Sequence, residues 1–93
     1  MRIVKYTNRF RRDFRREKSG PVGKRLEGLL MEVVNLLATD QPLPRRYFDH
    51  ALSGDWRDFR DCHVRPDLIL IYRKPDEISL ELVRLGSHSE LGF

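Results

Sequence analysis

Ninety-three residues suffice for one domain with a modest core, and 40% hydrophobic with 34% charged residues excludes a disordered chain. A lone cysteine, Cys62, excludes an internal disulfide and points to a reducing compartment. No stretch is apolar enough for a signal peptide or a membrane span, so the expected location is the cytoplasm, with no membrane partner. The net charge of +4 is uneven: residues 1–28 hold ten Lys or Arg against three acids, a local +7, and the remainder carries −3. A basic first part suggests a polyanion partner held mainly there; the plainer reading is an arginine-rich solvated helix face.

Arg2 to Tyr6 reads as a short strand. Thr7 or Asn8 then caps a helix whose Phe10 and Phe14 share one face, with Arg9, Arg11, Arg12, Arg15, Arg16 and Lys18 around the rest. Those six cations are the candidate nucleic-acid contacts. Ser19-Gly20-Pro21 ends this helix and prepares a second, predicted from about Val22 to Ala38, where Leu26, Leu29, Leu30, Val33, Val34 and Leu37 repeat at helical spacing. Asp40 to Pro44 breaks the pattern, and Tyr47 to Gly54 reads as a loop. Trp56 to Val64 is a predicted strand. Arg65-Pro66-Asp67 is a turn, and the apolar run Leu68 to Tyr72 is a strand covered on both faces. Lys74 to Glu77 turns the chain into a last strand around Ile78, Leu80 and Leu82, and the tail from Gly86 has room for one helical turn. The predicted order is β-α-α-β-β-β: an α+β fold, one domain over 1–93, with a helical hairpin on one face of an antiparallel sheet.

Three histidines, His50, His63 and His88, sit in polar, turn-rich or strand-end settings rather than in apolar runs. Histidine exchanges protons near neutral pH. In a regular strand, period two puts Phe59, Asp61 and His63 on one face and Arg60, Cys62 and Val64 on the other. Asp67 begins the neighbouring strand across a short turn, and His88 follows the last strand, so a meander can bring these groups together. Each has a duller reading: His50 as a turn cap, His63 as a strand-end surface residue, His88 as part of a tail, and Asp61 and Asp67 as solvated turn acids. Three histidines with two acids also invite zinc, but no His-x-x-His or Cys-x-x-Cys spacing supports a metal, so none is expected, nor any other cofactor. Trp56, Phe59 and Tyr72 are expected to pack rather than to bind bases.

The segment from Asp49-His50 through Leu52, Gly54, Trp56, Arg60-Asp61, His63-Val64 and Pro66-Asp67 to Ile69-Leu70-Ile71-Tyr72 closely resembles the YafQ branch of the RelE/ParE toxin superfamily. Arg84-x-Gly86-x-His88-x-x-Leu91 continues the likeness. The resemblance implies a RelE-like fold and a toxin of a type II toxin–antitoxin pair that cuts translated messenger RNA on the ribosome without a metal. It places the family's active-site motif on His50, Asp61, His63, Asp67 and His88. The family has an aromatic directly after the C-terminal leucine; here Gly92 intervenes between Leu91 and Phe93. The resemblance also implies contact with ribosomal RNA and a cognate antitoxin with an acidic or disordered segment. Such complexes often bind operator DNA, and the partner is expected to supply the DNA-reading element.

Metal-free RNA cleavage uses the ribose 2′-OH as nucleophile, a base to take its proton, an acid for the leaving 5′-oxygen and positive charge for the phosphate. The imidazoles supply acid and base, and Asp61 or Asp67 orients them. Arg60 or Arg84 is a candidate for the phosphate, and Phe93 or Tyr47 for stacking on a base. Competing functions on the same scaffold are a non-enzymatic, ParE-like gyrase inhibitor, which would not need the three histidines, and a plain nucleic-acid-binding module.

Overall fold

The computed structural model describes residues 1–92. The elements are β1 (Ile3–Tyr6), α1 (Asn8–Lys18), α2 (Leu26–Ala38), β2 (His50–Ala51), β3 (Arg60–Arg65), β4 (Leu68–Arg73), β5 (Ser79–Gly86) and α3 (His88–Leu91), with single 3-10 turns at Gly23–Arg25, Arg45–Tyr47 and Gly54–Trp56. Among the described residues, no helix is long and apolar enough to cross a membrane.

Thr7 caps α1 as expected. Its side-chain oxygen accepts the Phe10 N–H at 3.0 Å, and its hydroxyl donates to the Val83 carbonyl at 2.7 Å, so the cap also pins α1 to β5. The expected helix from Val22 is corrected: Gly23–Arg25 forms a 3-10 turn, and α2 proper starts at Leu26. The chain doubles back tightly there. A β-carbon on Gly23 would fall 1.9 Å from the Lys18 carbonyl oxygen, a space open only to glycine.

The five strands lie in the order β1-β5-β4-β3-β2. β3, β4 and β5 are antiparallel, as expected, and so is the unexpected β2 beside β3. β1 is the exception, because it pairs parallel to β5 from Ile3 opposite Ser79 to Tyr6 opposite Leu82. Parallel neighbours need a long crossover, and the helical hairpin together with the meander provides it.

Cys62, Val64, Leu68, Leu70, Tyr72, Leu80, Leu82 and Leu85 meet Leu26, Leu30, Val33, Val34 and Leu37 of α2 and Phe10 of α1 in one core. Leu82 and Leu85 both reach it although three apart, because Val83 is an extra residue between Leu82 opposite Tyr72 and Arg84 opposite Ile71. Ile69 and Ile71 alternate with the core residues of β4 and are buried on the opposite face. That second face carries the candidate site.

Two strand boundaries differ from expectation. Trp56 to Phe59 is not strand; Gly54, at φ 64°, starts a turn, and Phe59 packs edge-on against Trp56 with centroids 5.1 Å apart. Within the expected loop, His50 and Ala51 pair with Asp61 and Arg60 as β2. At the far turn, Asp76 accepts the N–H groups of Ile78 and Ser79, so β5 starts at Ser79 and leaves Ile78 exposed.

Candidate active site

Register assembles the site. Asp61 lies opposite His50 on one side and opposite Ile71 on the other; His63 lies opposite Ile69, itself opposite Gly86, two residues before His88. Asp61 and His63 therefore share the face away from the helices, while Cys62 is fully buried in the core with its thiol pKa pushed up by burial.

His50 Nδ1 lies 2.9 Å from the Phe48 carbonyl oxygen and 3.1 Å from Asp61 Oδ1. A carbonyl oxygen only accepts, so the first contact puts a hydrogen on Nδ1 and leaves Nε2 of the neutral ring with a free lone pair. Asp61 is 4% exposed, and its Oδ1 takes no hydrogen bond among the described residues. Burial raises its pKa, and the charges of His50, His63 and His88 pull the other way. All three imidazoles thus act on one buried carboxylate. The His63 and His88 rings are 5.5 Å apart at 63°, and the Phe48 ring also lies 5.5 Å from that of His63.

The backbone segments carrying His50 and His88 are anchored separately. Asp49, just before His50, accepts the Tyr72 hydroxyl at 2.5 Å and the Arg60 guanidinium at 3.2 and 3.3 Å. His88 opens α3, where Ser87 Oγ accepts the Glu90 N–H and Glu90 Oε1 accepts the Ser87 N–H, a reciprocal cap. Glu90 also pairs with Arg16 of α1 at 3.0 Å, and Arg16 Nη2 donates to the Leu85 carbonyl.

The remaining sequence candidates separate. Asp67 is exposed in the β3–β4 turn, two residues before the partner of His63, with no hydrogen bond or ion pair among the described residues. Arg60 is committed to Asp49 across the sheet from the histidines. Arg84 pairs at 2.7 Å with Asp13, a carboxylate 3% exposed that also accepts the Leu85 N–H. Burial pushes the Asp13 pKa up, but hydrogen bonds from Arg84 and Leu85 and the charges of Arg84 and Arg16 outweigh it and hold the carboxyl below its ordinary range. Tyr47 is buried and takes a hydrogen bond from Arg46, so its ring cannot receive a base. Phe93 lies outside the described residues. Of the six cations on α1, Arg16 is tied down as above and Lys18 pairs with Glu27, whereas Arg9, Arg11, Arg12 and Arg15 are exposed.

Phe48, Asp49 and Arg65 escaped the sequence reading. Arg65, two residues past His63, keeps its Nε buried with no hydrogen-bond partner among the described residues. The Ser87-x-x-Glu90 spacing was a readable signal for α3. A two-residue strand such as β2 leaves no periodicity to read. Among the described residues no three His, Cys, Asp or Glu side chains are grouped to hold a metal ion.

A family model for YafQ, the bacterial toxin of a type II toxin–antitoxin system, matches residues 2–92. The mRNA interferase toxin YafQ of Escherichia coli strain K12 is 35% identical over 91 residues, covering 97% of this chain and 95% of that protein. Among solved structures, a metal-bound toxin from Helicobacter pylori matches with a TM-score of 0.81 at 44% identity, over 98% of this chain and 99% of that one. The toxin of the E. coli DinJ–YafQ complex matches with a TM-score of 0.80 at 35% identity, over 98% of each chain. With a family match over nearly its whole length and relatives this similar, the chain belongs to the YafQ family of toxins from bacterial type II toxin–antitoxin systems.

Proposed function

We propose that this chain is an endoribonuclease that cuts translated messenger RNA on the ribosome, without a metal, by attack of the ribose 2′-OH on the adjacent phosphate. The observation that carries this reading is the grouping of His50, His63 and His88 around the buried Asp61. His50 Nε2, with its lone pair free, takes the proton of the 2′-OH. The new bond forms between O2′ and phosphorus, and the bond to the 5′-oxygen breaks. His63 or His88, entering as imidazolium, protonates that leaving oxygen. Asp61 stabilises the positive charge that moves between the rings, and Asp67 adds a carboxylate at the rim. Arg65 has donors to spare for the phosphate, whereas Arg60 and Arg84 serve chiefly to hold Asp49 and Asp13. The substrate brings its own nucleophile, so DNA is not cut.

The exposed arginines of α1 suit contact with ribosomal RNA phosphates. By likeness to the DinJ–YafQ complex, this chain takes an antitoxin partner. A groove of about 570 Å³ is lined by Tyr6, Phe10, Phe14, Leu30 and Met31 together with Arg11, Arg15 and Glu27, the last already paired with Lys18, and suits an acidic amphipathic segment of that partner.

The test is mapping of cut sites on a messenger RNA, with and without translating ribosomes, for the wild type and for His50→Ala, His63→Ala and His88→Ala. Loss of one acid or base is expected to slow cleavage by about 10²- to 10⁴-fold. Three variants cutting as fast as the wild type would remove the reading.

A further inference from the structure

The aromatic residues that the sequence offered for stacking on a base were Tyr47 and Phe93; Tyr47 is buried. Its neighbour Phe48 is in the opposite situation. It is 65% exposed, and its ring lies 5.5 Å from that of His63. Exposed apolar side chains are common singly and need no explanation. Met1, Ile3, Tyr6, Met31 and Ile78 are also exposed, but among the described residues none of these has a ring contact with a site histidine. Phe48 also stands at φ 47°, ψ 43°, the left-handed region that aromatic residues rarely occupy.

Local bonds hold it there. The Phe48 N–H closes the 3-10 turn on the Arg45 carbonyl at 3.0 Å, and its own carbonyl receives His50 Nδ1. One residue thus orients the ring of His50 through its backbone and flanks His63 with its side chain. A ring so exposed gains little from its own packing, and it lies beside the His63 imidazole. Every nucleobase has a π-face to lay on it, and the ribose it is bonded to carries the neighbouring phosphate.

We propose that Phe48 is a nucleobase platform, on which a base next to the scissile phosphate stacks. This rests on the endoribonuclease reading for its setting, but it can be separated from it. Three variants are compared with the wild type: Phe48→Ala, Phe48→Leu, which keeps apolar bulk without a π-face, and Phe48→Trp. Cleavage on programmed ribosomes should fall roughly 5- to 150-fold in kcat/KM for the first two, chiefly through KM, and stay near wild type for Phe48→Trp. Ribosomes programmed with an uncleavable 2′-O-methyl messenger RNA give a second readout. The fluorescence of Phe48→Trp, corrected for Trp56 with the wild type, should be quenched on binding. Thermal melts of all four proteins check that the fold is intact.

If His63→Ala is dead while Phe48→Ala and Phe48→Leu cut as the wild type does and Phe48→Trp shows no quenching, the platform is overturned and the nuclease stands. If binding depends on Phe48 but no protein cuts, the platform stands and the nuclease falls. If the wild type neither binds nor cuts, both fall.

Discussion

Asp61 shows how one residue can carry a site. A carboxylate buried with an oxygen unbonded is costly unless positive charge can be placed near it, and the three imidazoles around it are the groups able to carry that charge. Its raised pKa has a direction for activity. Asp61 supports an imidazolium only when ionised, so the rate should fall as pH drops through a value above the ordinary aspartate range. In Asp61→Asn the part of the acidic limb that Asp61 contributes should vanish, leaving only that of the histidine base, with the plateau lowered by about 10²-fold or more; an unchanged profile would refute the role. Asp13 runs the other way. Its depressed pKa contributes stability that is present above about pH 4 and lost as pH falls through the folded value. Asp13→Ala should cost about 3 kcal/mol in urea unfolding at pH 7, and the gap to the wild type should narrow below pH 4. The alternation of Asp61 and His63 against Cys62 was legible because period two needs only the sequence. Their pairing with His50 was not, because two strand residues inside a turn-rich loop carry no pattern.

At the scale of elements, the four-residue α3 illustrates stability borrowed from elsewhere. A helix this short does not hold alone. Its reciprocal cap and the Glu90–Arg16 pair fasten it to α1. Glu90→Ala removes the Arg16 pair and the Glu90 half of the cap, and should cost about 1 kcal/mol of stability while lowering cleavage as much as loss of His88 positioning allows. Glu90→Gln, which keeps the cap but not the charge, should recover part of the rate; equal rates for all three proteins would show that α3 needs no such fastening. Gly86 belongs to the same joint, since a β-carbon there would lie 2.8 Å from Arg16 Nη2. The amphipathic helices and the apolar β4 were readable because burial writes long periodic patterns. The 3-10 entry to α2 and the parallel placement of β1 were not, since each depends on where a distant backbone passes.

For the whole molecule, the +7 of the first 28 residues resolves into two uses. Arg16 and Lys18 are internal ties; Arg9, Arg11, Arg12 and Arg15 face outward. Charge counts alone could not separate them. Arg11→Glu with Arg15→Glu should weaken binding to the antitoxin at least tenfold and flatten the salt dependence of ribosome binding, while leaving the melting temperature within a few degrees. Unchanged affinity for both would place the partner and the ribosome elsewhere.

The parallel seat of β1 against β5 has a consequence for when the molecule exists at all. Residues 3–6, the Thr7 cap, Asp13 and Arg16 all take their partners from residues 79–86, more than sixty positions away. During synthesis these early residues have nothing to dock on until the last strand leaves the exit tunnel, and such distant closures are slow to form. A chain ended at Lys74 is accordingly expected to show no cooperative unfolding transition. A nascent copy therefore cannot close its fold while residues 79–86 are still inside that tunnel.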